Sequence, residues 1–514
     1  MTIHHLAHLL RKRGEVINNF LYFLFTLTKH IADILGMKFS DNQKHDLQSL
    51  PQWAQSLIHH LNFQVQQLTS RVHELEGQLA KNSSNSGKSP SSDGLNKPKK
   101  TNSLRGKSGK KPGGQLGRKG VNLQPVQDPH KVQIHTPKTC TGCNISLENV
   151  TAIDKTKRQV FDVPPISVVV TEHQAEVKIC PCCGKKNQGE FPKGVNAFTQ
   201  YGERVKALAA YFLHQHFIPF ERVAQLFEDL FNIPLSPGTC SNMDRKLFKN
   251  LEIFEKSLKA YLLACKVLHL DETGVRCNKK LHWIHVTSSE TATFFGLHAK
   301  RGSEAINEIG ILPYYRGSIV HDHWHCYFSY KQVKHGLCNV HHLRELKFVY
   351  EEEKSSWANE MTDLLLKGKG IVDKTKAEGK AIAPEDIALI EKEYQDLILR
   401  TGLVYIDAAT AGNSPDSIGN SGFNLFRRLL RKMNEVLYFI RDLDIPFSNN
   451  LAEQDLRMEK VKQKISGCFR TFVGGVISCR VRSYISTARK QGWNIINSLA
   501  EAVAGSPRLV LRAT

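Results

Sequence analysis

No apolar run in this 514-residue chain is long and unbroken enough to cross a bilayer. The nearest approach, VINNFLYFLFTLTKHIADILG, is interrupted by Asn18, Asn19, Lys29, His30 and Asp33, and no secretory leader is evident. A membrane partner is therefore not expected, and the stretch reads as one or two packed helices within a helical extension over residues 1–56. Acid is also scarce. Against 70 Lys and Arg stand 49 Asp and Glu, and the net charge of +21 points to a polyanionic partner. Without a leader, the twelve cysteines argue for thiols or metal ligands in a cytoplasmic protein and not for a disulfide framework. What is present is ample apolar material, 41% of residues, enough for cores in several domains.

The charge is concentrated. Residues 81–120 hold eleven Lys or Arg and one acid, a net +10, together with eight Ser, eight Gly and three Pro. Such a segment has too little apolar surface to fold. It reads as a flexible basic linker over residues 81–130, either a plain solvated tether or a strap for DNA phosphates. The second reading is preferred for its charge density, with Lys97, Lys99, Lys100, Arg105, Lys107, Lys110, Lys111, Arg118 and Lys119 as DNA-binding residues. Just before it, Leu61, Val65, Leu68, Val72, Leu75 and Leu79 alternate at spacings of four and three. That seam predicts a short coiled coil over 57–80, which would pair either with another copy or within the chain.

Cys140 and Cys143 in CTGC, and Cys180 and Cys183 in CPCCGK, are two CxxC knuckles. Four such thiolates complete a closed tetrahedral site for one structural Zn²⁺ in a domain over 131–195. Cys182 could replace Cys183, but Gly184 suits the tight turn after Cys183. A redox pair is the weaker reading, since no thioredoxin-like context surrounds either pair. Between the knuckles, RQVFDVPP and SVVVTEHQAEV read as two strands. Residues 204–247 read as three short helices, the second opened by Pro219 and the third capped near Ser236 or Thr239. They form either a DNA-binding helix-turn-helix or a plain helical hairpin, in a region spanning 196–260.

Three acids carry the chemistry. Asp271 in KVLHLDETGVR and Asp322 in GSIVHDHWHCY each end an apolar run that reads as a buried strand. Glu453 in FSNNLAEQDLRMEK lies in a helical pattern, with Asn449, Arg457, Lys460 and Lys464 on a polar side and Leu451, Met458, Val461 and Ile465 on a roughly opposite apolar stripe. Two adjacent strand ends and a helix can bring three carboxylates together. That cluster repels itself unless cations neutralise it, and hard oxygen ligands select two Mg²⁺ or Mn²⁺ ions suited to phosphodiester chemistry. Singly, each acid has an ordinary structural reading; the combination shifts the balance. Glu272 adjoins Asp271, but successive strand residues point to opposite faces, so Asp271 is chosen. His321, His323 and His325 would share one face if their strand continued, a rival zinc site weighed against core-facing or DNA-facing histidines.

The ordered strings NSSNSGKSPSSDGLNKP, SGKKPGGQLGRKG, the paired knuckles, IPFERVAQLFEDLFNIPLSPGT, HLDETGVR, HGLCNVHHLREL and NNLAEQDLR resemble the insertion sequence 66 family of bacterial DDE transposases. The resemblance runs from about residue 60 to the C-terminus and leaves out the first fifty or so residues with their FLYFLF cluster. It implies that Asp271, Asp322 and Glu453 are the catalytic acids of an RNase H-like core over 261–460, in a multidomain α+β and α/β protein. The gap of 131 residues between Asp322 and Glu453 then implies a mostly helical insertion over roughly 340–440, with a C-terminal helical region over 461–514. By the same resemblance Cys338 and His341 form a CxxH motif assigned to active-site support and not to zinc, with Arg457 grouped beside them. The implied activity is cutting at the ends of a mobile element and joining them to target DNA. Implied partners are double-stranded DNA, further copies of the chain and small companion proteins of the same element, in a bacterial, nucleoid-associated setting. The competing readings are an inactive or host-adopted DNA-binding descendant, disfavoured by the intact acids, and a nuclease that cuts without joining.

Overall fold

The computed structural model describes residues 51–81, 123–163, 166–410 and 421–510. The FLYFLF segment and the strap residues Lys97, Lys99, Lys100, Arg105, Lys107, Lys110, Lys111, Arg118 and Lys119 lie outside the described residues. The chain divides into two units, residues 1–82 with 404–424 and residues 83–403 with 425–514. In the first, α1 (Gln52–Ala80) starts directly after Pro51 and runs unbroken for 29 residues. Its heptad positions Leu61, Leu68, Val72, Leu75 and Leu79 are exposed.

The described part of the second unit begins at residue 123 as extended chain carrying both knuckles. Its regular structure there is one small antiparallel hairpin, β1 (Val177–Ile179) with β2 (Lys186–Gln188). The two strands expected over RQVFDVPP and SVVVTEHQAEV are corrected by this finding: the described residues of 158–176 form no strand. The reason is physical. β-branched residues favour strands by packing on a sheet, and Val160, Val169 and Val170 have nothing to pack on and are almost fully exposed.

Three helices follow: α2 (Glu203–His214), α3 (Phe220–Phe231) and α4 (Pro237–Asn250). They enclose a core of Ala209, Leu213, Val223, Phe227 and Cys240. Ser236 caps α4 through a bond from the Thr239 N–H (3.0 Å), with Pro237 at the first helical position. After α5 (Glu252–Leu263) comes a five-stranded sheet built from β3 (Val267–Cys277), β4 (Lys280–Ser288) and β5 (Thr293–His298), then α6 (Ser303–Ile309), β6 (Ser318–His321) and β7 (Lys334–Leu337). The order across it is β5-β4-β3-β6-β7. The β3–β4 and β4–β5 pairs are antiparallel, while β3–β6 and β6–β7 are parallel.

A helical stretch then intervenes: α7 (Asn339–Glu352), α8 (Ser356–Glu378), α9 (Pro384–Thr410), α10 (Ser421–Arg431), and the single turns α11 (Met433–Val436) and α12 (Tyr438–Arg441). The chain returns to the sheet with α13 (Asn450–Ser466), α14 (Phe472–Lys490) and α15 (Ile495–Val503). Among the described residues, no helix is long and apolar enough to cross a membrane.

The sheet separates two cores. Leu268, Leu270 and Phe294 face a cluster with Phe254, Leu258 and Tyr484. On the other side Val275, Ile284, Val286 and Phe295 pack against Ala452 and Leu456 of α13. This corrects the apolar stripe expected on that helix. The buried positions are Ala452, Leu456, Glu459 and Lys462, whereas Val461 and Ile465 are exposed. The buried charges of the inner face lie near counter-groups, although the Arg482 Nε has no hydrogen-bond partner. Arg482 lies 3.8 Å from Glu459, and the Lys462 Nζ reaches the Gly467 carbonyl (3.1 Å) over the Phe469 ring.

Candidate active site and cysteine knuckles

Strand register decides which acid faces α13. Asp271 pairs with Val286, and Val286 pairs with Phe295. Cross-strand partners share a face, so Asp271 lies on the side that Ala452 and Leu456 cover, and Glu272 on the other. Asp271 does not end its strand as expected; it is the fifth residue of β3. What ends there is the pairing with the four-residue β6, which reaches only to His269. Asp322 follows the last residue of β6, and its Oδ1 accepts from the Trp324 N–H (2.9 Å), fixing a tight turn. Because β6 stops at His321, the alternation expected through His323 and His325 does not continue. His321 bonds instead to His335 (3.0 Å), and the three histidines form no common metal cluster among the described residues.

Glu453 stands in the first turn of α13. The structure brings the three acids within electrostatic reach: burial first, then Glu272, Asp322 and Glu453, push the Asp271 carboxyl well above the usual range. Its own hydrogen bond is from the Glu272 backbone N–H to Oδ1 (2.8 Å). Glu272 is served differently. Arg301 donates to its Oε1 through Nε (2.8 Å) and Nη2 (2.6 Å), Tyr327 donates to Oε2 (2.6 Å), and the Arg301 guanidinium lies between the rings of Trp283 and Trp324. Burial still raises the Glu272 carboxyl, followed by the Asp322 charge, against the lowering by Tyr327 and Arg301.

Other acids near α13 are engaged elsewhere. Asp455 accepts from Ser288 (2.6 Å), Thr293 (2.9 Å) and Lys490 (2.8 Å), Glu459 faces Arg482, and Asp444 faces Lys266 (3.7 Å). Cys338 and His341 sit where β7 passes into α7. The Cys338 Sγ and the His341 Nδ1 are each 3.9 Å from Glu453 Oε1, so the CxxH pair touches the third acid. Burial opposes charge on His341, but the Cys338 hydrogen bond and the Cys338 and Glu453 charges outweigh it, taking its pKa up to about 9. Arg457 is exposed, one turn beyond Glu453. The arrangement can hold hard cations: Asp271 is buried among like charges, and among the described residues no Lys or Arg forms an ion pair with it or with Asp322.

The two knuckles repeat one turn. In the first, the Cys140 N–H donates to the Ile145 carbonyl and the Asn144 N–H to the Cys140 carbonyl (both 2.9 Å). In the second, the Cys180 N–H donates to the Lys185 carbonyl and the Gly184 N–H to the Cys180 carbonyl (both 2.9 Å). The fifth residue of each turn is left-handed, Asn144 at φ 57° and Gly184 at φ 70°, which are the residue types that tolerate it. Backbone N–H groups of Gly142 and Cys143 lower the Cys140 thiol, and those of Cys183 and Cys182 lower the Cys180 thiol, as metal ligation requires. The four sulfurs are not gathered within bonding reach of one ion; each knuckle stands as a preformed half-site.

The polar side expected for the Glu453 helix is corrected at Asn449. It is buried, and its side chain reaches His269 and Leu270 on β3. The helical spacing that sets it beside Arg457, Lys460 and Lys464 gives no sign of burial, because its partners His269 and Leu270 lie 180 and 179 residues earlier along the chain.

Comparison with known families gives three matches. Residues 199–477, more than half of the chain, match the family model described as Transposase IS66 family. Residues 137–184 match the zinc-finger binding domain of transposase IS66, and residues 42–124 match a family of unknown function. No curated protein matches the chain.

Proposed function

Because the chain belongs to the Transposase IS66 family, we propose that it binds the terminal inverted repeats of an insertion sequence, cleaves the ends by metal-dependent hydrolysis and joins the freed 3′-hydroxyls to target DNA. The observation that carries this reading is the Asp271 carboxyl, buried on the α13 face of the sheet within electrostatic reach of Asp322 and Glu453, where Lys460 acts on it electrostatically but forms no ion pair with it. The strand order, three antiparallel strands continued by two parallel ones, supports an RNase H-like core. Residues 339–441 then form its helical insertion.

Asp271, Asp322 and Glu453 would hold two Mg²⁺ or Mn²⁺ ions. When bound, such ions activate a water or 3′-hydroxyl and stabilise the leaving oxygen. The side chains supply the rest. The Trp324 N–H orients Asp322, while charged His341 beside Glu453 steadies that carboxylate. No protein nucleophile is required. Cys140, Cys143, Cys180 and Cys183 would hold one structural Zn²⁺, in keeping with the match over 137–184.

DNA is gripped away from the acids. Helix α4 exposes Asn242, Arg245, Lys246 and Lys249, and a cleft of about 600 Å³ beside it is lined by Gln200, Lys206, Asn242 and Lys246, a surface fitted to a phosphate backbone. The exposed leucines of α1 supply a surface for self-association. The test is a cleavage and strand-transfer assay on a duplex carrying the element end. Wild-type protein should cut and join in Mg²⁺, whereas Asp271→Asn and Asp322→Asn should bind the duplex and do neither. Full activity in both variants would remove the enzymatic reading.

A further inference from the structure

Asn449 occupies the N-cap of α13, yet its side chain makes no bond to its own helix. An Asn in that place ordinarily accepts from the second or third backbone N–H of the helix, so a cap is being forgone. The amide is spent instead on the strand that carries Asp271. Its Nδ2 donates to the Leu270 carbonyl (2.7 Å), which belongs to the peptide leading into Asp271, and its Oδ1 accepts from the His269 Nδ1–H (3.0 Å). The backbone of the same residue serves two further elements. Its N–H donates to the Cys338 Sγ (3.1 Å), and its carbonyl accepts the Glu453 N–H (3.2 Å). The residue is 2% exposed, so water cannot replace any of these partners.

We propose that Asn449 is a positioning residue that sets the separation between Asp271 and Glu453. Four hydrogen bonds from one residue join strand β3, the Cys338 corner and the first turn of α13, segments that lie 68 and 111 residues apart along the chain. A local rule broken without local benefit is expected at a functional site. Two cations shared by carboxylates demand fixed ligand spacing, and loss of a group that orients metal ligands typically lowers metal affinity or activity about 10–100-fold. This inference rests on the metal-dependent reading given above.

The experiment measures cleavage of the element-end duplex by full-length protein against Mg²⁺ and Mn²⁺ concentration, with duplex binding and thermal melting recorded in parallel and Asp271→Asn as the control. Asn449→Ala should cleave about 10–100-fold more slowly in Mg²⁺, need more Mg²⁺ to reach its maximum and recover part of the loss in Mn²⁺, with binding intact. Wild-type rates and Mg²⁺ dependence in Asn449→Ala, while Asp271→Asn is inactive, would overturn the positioning role and leave the metal reading standing. Activity in Asp271→Asn as well would mean that the metal reading itself has failed. A loss identical in both metals at every concentration would show a merely structural residue. If Asn449→Ala does not fold, Cys338→Ala and Cys338→Ser decide: the alanine, which removes the acceptor of the Asn449 N–H, should raise the Mg²⁺ requirement, and the serine hydroxyl should restore it. Equal behaviour of the two would overturn the proposal.

Discussion

The knuckle region and the sheet are ordered by opposite means. Around the knuckles almost every side chain is exposed, with Phe198 and Ile153 fully so, and order resides in two backbone turns and one three-residue hairpin. Around the sheet Leu268, Ile284 and Ile319 are completely buried, and the apolar packing is strong enough to tolerate Asp271, Glu272 and Glu459 within it. The first region lacks a core and depends on what its thiols bind. The second has a core and carries the cost of holding like charges at close quarters.

The largest effect should come from breaking the first arrangement. Replacing Cys180 and Cys183 together by Ser should abolish zinc retention and leave residues 123–200 open to limited proteolysis while the sheet stays protected. Zinc content unchanged in the double variant would reject the four-cysteine site. Because the Cys140 and Cys180 thiols are lowered by backbone N–H groups, zinc should be retained on acidification to a lower pH than ordinary thiols allow.

A smaller and opposite effect is expected in the sheet. Burial and neighbouring acids raise the Asp271 carboxyl, so the folded metal-free chain keeps a proton that the unfolded chain releases above about pH 4. Stability without metal should therefore fall as the pH rises from there, and Mg²⁺ should restore it. Asp271→Asn removes the liability and should raise the metal-free Tm at pH 7 by about 2–4 °C, on the order of 1 kcal/mol, while abolishing cleavage. A lower Tm in that variant would show that the carboxylate is already compensated.

The smallest effect concerns the segment before the knuckles. Deleting residues 81–120 should flatten the dependence of log affinity on log salt by about 0.9 for each DNA phosphate that the segment neutralises. An unchanged slope would make the segment a passive tether.

Much of the sheet was legible because its strands are apolar runs with clear ends. The runs in KVLHLDETGVR and GSIVHDHWHCY correspond to β3 and β6, and Asp271 and Asp322 stand out as the acids in them. The inner face of α13 was not legible. It buries Glu459 and Lys462, whose partners Arg482 and Phe469 belong to later segments, while Val461 and Ile465 face outward. The strands expected at 158–176 show the converse failure, propensity without a surface to pack on. The Arg301–Glu272–Tyr327 group and the Asn449 hydrogen bonds were hidden for a third reason: each is assembled from segments far apart along the chain, and each residue alone has an ordinary local reading.

The claim that Asp271, Asp322 and Glu453 jointly hold two hard cations is tested most directly by counting them. Mn²⁺ titration followed by electron paramagnetic resonance, on zinc-loaded full-length protein bound to the element-end duplex, should show two tightly held ions per active chain in the wild type and at least one fewer in Glu453→Gln. The same number of ions held with the same affinity in both proteins would contradict the account.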